Sequence, residues 1–365
     1  MLTLNGKHNS AIVYTDIIEP EAISQIISIC NLESSKNNII RLMPDVHPGK
    51  GCTIGTTIKL NNGKVIPNLV GSDIGCGVLC IKLNKSRIDL PKLDSEIRRI
   101  FKSENQVTQG EKIIDSLLCK KHIYKEKTLS SLGTLGGGNH FLEIDKDEEG
   151  YLYLIIHSGS RRLGTEVCNY YQNLAHKILK ETNSNISQFT SYLEGYELEN
   201  YLKDMNLVCE FASLNRRIIA EKILKTMKLK SVEEIDTIHN YIDSETMILR
   251  KGAVSALKNE QLIIPINMRE GSLICNGLGN PEWNYSAPHG AGRLFSRADS
   301  KSMFTLSEFK KTMKEAGIYS TSINSSTLDE CPMAYKDINQ IIDNISDTVE
   351  IQKIIKPIYN FKSDV

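Results

Sequence analysis

Five short segments of this 365-residue chain each set a metal-liking side chain on a glycine-rich or strand-end stretch. They are Gly71-Ser-Asp73-Ile-Gly-Cys76-Gly77, Gly136-Gly-Gly-Asn139-His140-Phe141, His157-Ser-Gly-Ser-Arg161, His239-Asn-Tyr241 and His289-Gly-Ala-Gly-Arg293. Together they offer one carboxylate, one thiol and four imidazoles, more donors than a single cation needs. Any one of these residues taken alone is more often a packed core side chain. Their company points to a paired-metal site with one histidine left over.

The local chemistry of each segment sharpens this reading. Asp73 and Cys76 flank Gly75 in a stretch too rich in glycine for a helix, so both side chains can converge from one turn, with the thiolate bridging two cations. His140 follows three glycines and Asn139, whose backbone can approach a phosphate closely. His157 shares its segment with two hydroxyls and the Arg161 guanidinium, a set suited to holding metal and phosphate together. His239 has only Asn240 and Tyr241 beside it. Ligand softness alone favours zinc for such a set. His289 differs, because the small residues after it expose the imidazole and several backbone N–H groups. That loop can present a nucleophile to a phosphate while Arg293 neutralises the developing charge.

The elements that must position these segments are strands and a few long helices. Up to residue 90 the pattern reads as short strands broken by glycine and proline, for example 51–60 and 78–83. Helical spacing follows over 94–118, then an apolar strand over 151–156 that ends at His157. Residues 166–180 and 196–228 are the clearest helices, with Leu207, Phe211, Leu214 and Ile218 predicted to face a core. Strands return over 247–274, and the tail is expected to be helical from 306 and extended after Pro357. Without an internal repeat or linker-like run, residues 1–365 read as one domain.

Composition bounds the partners. Hydrophobic residues make up 40% and charged residues 24%, an ordinary globular balance. Lysine and arginine number 44 against 44 acidic residues, so an RNA or DNA partner has to be met by a local basic patch. Nine single cysteines without a CxxC pair predict a reduced, cytoplasmic protein. The N-terminus lacks the pattern of a signal peptide, and no run of apolar residues is long enough to predict membrane insertion.

Taken in order, Met43-Pro-Asp45-Val-His-Pro-Gly-Lys-Gly51, the DIGCG at 73–77, the LGTLGGGNHFLE ending at Glu143, HSGSR, HNY and HGAGR resemble the signature segments of the RtcB-type RNA ligases. The resemblance runs from near residue 40 to the C-terminus. It implies an α+β fold, a single compact domain with central β-sheets surrounded by helices. It also implies an enzyme that joins RNA ends bearing a 2′,3′-cyclic phosphate or 3′-phosphate to 5′-hydroxyl ends, using GTP and two manganese ions. On that resemblance Asp73, Cys76, His140, His157 and His239 are the manganese ligands, with Cys76 bridging. His289 is the nucleophile that carries GMP, and Arg293 and Asp45 belong to the same catalytic group.

The guanylate pocket implied by the family comprises Asn139, Glu143, Ser272, Tyr335 and Lys362, with Asn267 near the ribose. A carboxylate at Glu143 suits guanine and rejects adenine. Arg161 and Arg293, and more weakly Arg297, are the expected phosphate contacts. Arg162, Arg216, Arg217, Lys310 and Lys311 read as solvated faces. Where main-branch members have PGSMG this chain has Pro265-Ile-Asn267-Met-Arg269, and Pro288 precedes the nucleophile, features of a shorter bacterial branch devoted to RNA repair. A broken transfer, ribosomal or other RNA is the implied substrate, with the chain acting as a monomer, aided by an accessory activating protein. Two rival readings carry different expectations. A metal-dependent phosphohydrolase acting on cyclic phosphate ends needs no His289, Glu143 or Lys362, and a non-catalytic nucleotide-responsive RNA-binding protein needs no nucleophile.

Overall fold

Near-continuous apolar runs leave Gly77–Leu83 and Leu152–Ser158 almost no polar face, and both form strands covered on either side. The computed structural model describes residues 1–101, 108–182 and 185–363. Among these residues a seven-stranded sheet runs in the order Gln261–Asn267, Gly271–Gly277, Val349–Phe361, Phe141–Lys146, Leu152–Ser158, Gly77–Leu83 and Ser231–Ile238. All of its pairings are antiparallel. A six-stranded sheet runs Leu2–Asn5, Ser10–Val13, Ile39–His47, Ile54–Lys59, Ile248–Lys251 and Asn240–Asp243. A short ribbon pairs Ala253–Ser255 with Ser286–Pro288.

Alternation along the strands sorts the larger sheet into two faces. Leu79, Ile81, Leu142, Ile144, Leu154 and Ile156 pack with Leu93 and Ile97 of the helix Leu90–Ile100 and with Ile219 and Ile223 of the helix Gly195–Met227. Val78, Cys80, Phe141, Tyr153 and Ile155 face the other way, onto Ile263 and Ile355. The long helix turns its buried side through Leu198, Tyr201, Met205, Val208, Ala212, Asn215, Ile219 and Ile223, three or four residues apart, and stops at Lys228 in the left-handed region. Removing a fully buried ring from this seam, as in Phe211→Ala, costs about 3–5 kcal/mol.

The expected α+β class is what the chain adopts, with instructive differences in detail. The strands expected at 51–60 and 78–83 form as Ile54–Lys59 and Gly77–Leu83, but a helix, Pro20–Cys30, also lies in that first stretch. Its proline at the helix start and its buried Ala22, Ile26 and Ile29 explain it. The single helix expected at 94–118 is instead Leu90–Ile100 and Thr108–Ser116; positions 102–107 of that expectation lie outside the described residues. The helices expected at 166–180 and 196–228 form as Arg162–Thr182 and Gly195–Met227. The final strand begins at Val349 rather than after Pro357. Pro357 is tolerated there because the pairing with Phe141–Lys146 shifts register between Pro357 and Tyr359, so a bulge absorbs its missing N–H.

One consequence of the register matters most. Phe141 is paired with His157, His157 with Val78, and Gly77 with Ile238. Residues 140, 157, 76 and 239 therefore arrive at the same end of four adjacent strands.

Candidate functional site

Five donor atoms meet at that sheet end. Cys76 Sγ lies 3.3 Å from His140 Nε2 and 3.3 Å from His157 Nε2. His140 Nε2 is 3.1 Å from Asp73 Oδ2, and His157 Nε2 is 3.3 Å from His239 Nε2. Two ligand sets result, Asp73–Cys76–His140 and Cys76–His157–His239, and they share the thiol. The ring nitrogens are held there by short backbone links, since the His239 N–H donates to the Cys76 carbonyl and the Gly75 N–H to that of Asn240, each at 2.8 Å.

The protonation states suit a cation. Burial, with neighbouring positive charge, pushes His157 and His239 well below the usual histidine range, so both are neutral and carry lone pairs. Burial acts to raise Asp73, but the hydrogen bond and charge of His140 outweigh it and the carboxyl ionises more readily than usual. Cys76 is the exception: burial, then Asp73, push its thiol far up, so its thiolate needs a cation at the sulfur. Four nitrogen and sulfur donors converging at these distances fit metal ions better than they fit each other.

A second group adjoins the first. His289 enters from the ribbon Ala253–Ser255/Ser286–Pro288, and its ring centre lies 4.7 Å from that of His239. Its Nδ1 is 2.7 Å from Asp45 Oδ2, which also accepts from the His289 backbone N–H at 3.2 Å. A Nδ1–H donating to a fully buried carboxylate leaves the lone pair on Nε2. Gly292 lets the loop close over Asp45: it has φ +76°, and a Cβ there would fall 2.3 Å from the Asp45 carbonyl oxygen.

Beyond His289 opens a cleft lined by Asn139, Phe141, Glu143, residues 265–268, Arg293, Arg297, Glu330, Tyr335 and Lys362. Glu143 is buried and accepts from Asn360 Nδ2 at 2.5 Å. Burial lifts its carboxyl to about 7, against the opposing hydrogen bond of Asn360 and charge of Lys362. Asp145 follows on the same face of the strand with both oxygens unpartnered among the described residues, and burial, then the charge of Glu143, push its carboxyl well above the usual carboxylate range.

Comparison with known proteins gives the family. The family model described as tRNA-splicing ligase RtcB matches residues 25–116 and 108–363. The RNA-splicing ligase RtcB of Escherichia coli K12 is 33% identical, over 92% of this chain and 92% of its own. The chain belongs to the RtcB family. The tRNA-splicing ligase RtcB of Nanoarchaeum equitans is 28% identical over 86% of this chain and 85% of its own.

Within this RtcB-family site, the structure brings together Asp45, Asp73, Cys76, Asn139, His140, Glu143, His157, His239, Asn267, His289, Arg293, Tyr335 and Lys362. Ser272 is apart: it is fully buried in the strand Gly271–Gly277, opposite Pro265 and Ile355, and does not line the cleft. Asn267 lines it, but its Oδ1 already accepts from the backbone N–H groups of Arg269 and Glu270, closing the hairpin turn. Arg161 sits behind His140, its Nη1 3.4 Å from Nδ1. Arg293 and Arg297 are both engaged by Glu330, and Arg297 also by Asp329.

Two residues without an assigned role in the sequence reading stand out. Glu330, buried in the cleft, accepts from Tyr335 Oη at 2.6 Å and pairs with Lys362 Nζ at 2.9 Å. Burial opposes its ionisation, yet Lys362, Arg297 and Arg293 hold its carboxyl down to about 2. His47, two residues after Asp45, lines the cleft and an adjoining groove whose wall includes Asp73 and the buried Cys76 and His239. The groove carries Lys50, Arg293 and Arg297 as well as Glu19, Glu21 and Asp299. Among the described residues no helix is long and apolar enough to cross a membrane.

Proposed function

We propose that this chain is a GTP- and manganese-dependent RNA ligase that joins 2′,3′-cyclic phosphate or 3′-phosphate ends to 5′-hydroxyl ends. The observation that carries the reading is the place of His289. It stands between a five-donor cation cluster and a cleft with a buried carboxylate, with Nδ1 occupied by Asp45 and Nε2 available. A phosphohydrolase has no use for that histidine or for Glu143.

In this reading the Nε2 lone pair of His289 attacks the α-phosphorus of GTP, the bond to the β-phosphate oxygen breaks, and pyrophosphate leaves. Asp45 holds the ring and offsets the positive charge that grows on it. Glu143, as carboxylate, accepts the guanine N1 and N2 protons, and Tyr335, fixed by Glu330, covers the base. A cyclic end is first opened by water, whose oxygen bonds to phosphorus as the P–O2′ bond breaks and the 2′-hydroxyl takes a proton; the 3′-phosphate then takes GMP from Nε2, and the 5′-hydroxyl oxygen attacks the RNA phosphorus, releasing GMP and a proton. Cations held by Asp73, Cys76, His140, His157 and His239 would polarise the phosphoryl oxygens at each stage. The whole chain acts as one domain, in the cytoplasm, on cleaved RNA.

The test is end joining by the purified protein with manganese, comparing GTP with ATP and 3′-phosphate with 3′-hydroxyl RNA. Joining that needs GTP and the 3′-phosphate supports the reading. Opening of cyclic ends without joining favours a phosphohydrolase.

A further inference from the structure

Arg216 is the largest fully buried side chain of the long helix Gly195–Met227, and its bonds converge on the cation cluster from behind. Its Nη1 donates to the carbonyls of Gly75 and Ser158, both at 3.0 Å. These are the residues just before Cys76 and just after His157. Its Nη2 pairs with Asp236 Oδ1 at 2.8 Å, and its Nε donates to the same oxygen at 3.0 Å. Asp236 lies on the strand Ser231–Ile238, which delivers His239. One guanidinium thus touches the three segments that carry Cys76, His157 and His239.

The surroundings support a fixed frame. Asn215, the preceding residue, accepts from the Gly133 N–H at 2.6 Å and donates to the carbonyls of Thr134 and Gly159 and to Ser158 Oγ. The turn before Cys76 lies directly on the helix: Gly75 has φ +71°, and a Cβ there would meet the Cys209 Cα at 2.8 Å. Ser213 Oγ donates to Asp236 Oδ2 at 2.7 Å, so the carboxylate is held from both sides. Asp236 offsets part of the guanidinium charge, which reduces its repulsion of a dication held by the cluster in front of it.

We propose that Arg216 is a positioning residue for one half of the cation site, fixing Cys76, His157 and His239 through two backbone carbonyls and Asp236. The inference rests on the reading of those residues as cation ligands. Its reach does not extend to the side chains of Asp73 and His140, so the Cys76–His157–His239 set depends on it more than the Asp73–Cys76–His140 set. Residues that orient metal ligands from behind typically govern affinity by about 10- to 100-fold.

Cobalt(II) is the probe, because thiolate ligation gives a near-ultraviolet charge-transfer band independent of activity. The wild type should take up two ions per chain with that band. Arg216→Lys keeps the charge but cannot span both carbonyls and Asp236. Asp236→Asn keeps the shape and leaves the guanidinium in place, so it decides the matter if the lysine variant does not fold. The expected result is one site weakened at least about ten-fold and the other changed less than about three-fold, with circular dichroism unaltered. Unchanged binding of both ions, or equal weakening of both, overturns the proposal and leaves Arg216 as core packing. A wild type that binds no cobalt with a sulfur band would instead refute the cation reading on which the proposal stands.

Discussion

Replacing Asp45 by asparagine isolates what the carboxylate does for His289. The residue is fully buried, Oδ2 serves the His289 ring at 2.7 Å and its backbone N–H at 3.2 Å, and Oδ1 has no partner among the described residues. Asparagine can still accept from Nδ1–H, so the ring can stay in place while the negative charge is lost. A hydrogen bond to a charged group contributes about 1.5–3 kcal/mol. That charge matters more once the ring becomes cationic on forming the N–P bond, so the barrier should rise by about this amount. The corresponding slowing of single-turnover labelling by α-labelled GTP is roughly 10- to 150-fold. The new amide N–H group, placed where Oδ1 had no partner, should also lower stability by about 1–3 kcal/mol in urea unfolding. Labelling within about two-fold of wild type in a folded variant would show that Asp45 does not stabilise the charged ring.

Other consequences follow from the same geometry. Glu143 must be ionised to read guanine and burial raises its carboxyl toward neutrality, so GTP affinity should rise as pH increases from ~6 to ~8, and a flat profile with a fluorescent GTP analogue would contradict its role. Glu330→Ala removes the buried carboxylate shared by Lys362, Arg293 and Arg297, a loss of about 3–5 kcal/mol in chemical denaturation; adding Lys362→Met should restore only the part that belongs to the lysine. Manganese at about a hundred times its Kd should stabilise the protein by about 2.7 kcal/mol, on the order of 5 °C in melting temperature. Chelator should abolish that gain, and so should Cys76→Ser, because both ligand sets share the sulfur.

Much of this arrangement was legible in the sequence, for reasons visible in particular residues. The apolar runs at 78–83 and 151–156 announced buried strands, and a strand end is where His157 had to lie, with Cys76 expected in a glycine-rich turn. Donor types are diagnostic even when their distances are not: one carboxylate, one thiol and three imidazoles fall together although they span 166 positions, 73 to 239. Glu330 was not legible, since Leu328-Asp329-Glu330 reads as an ordinary polar turn, and its partners Arg293 and Lys362 stand 37 and 32 positions away. Arg216 was misjudged as part of a solvated pair with Arg217. The predicted stripe of Leu207, Phe211, Leu214 and Ile218 lies on the flank of the buried side, where all but Phe211 are only partly covered. The centre of that side carries Asn215 and Arg216 because the loops behind the site present backbone N–H and C=O groups that need partners. Periodicity detects apolar faces and is blind to a polar residue recruited by someone else's backbone. Ser272 illustrates the converse: a motif position transferred by resemblance occupies the right strand, but its side chain is not on the cleft.

The most direct test of the account is covalent. Wild-type protein and His289→Ala, each with manganese and α-labelled GTP, should be denatured and the label mapped to a peptide. The account predicts an acid-labile, alkali-stable guanylate on His289 in the wild type and none in the variant. A metal-replete wild type that carries no label, or carries it on another residue, would contradict the assignment of His289 as the nucleophile.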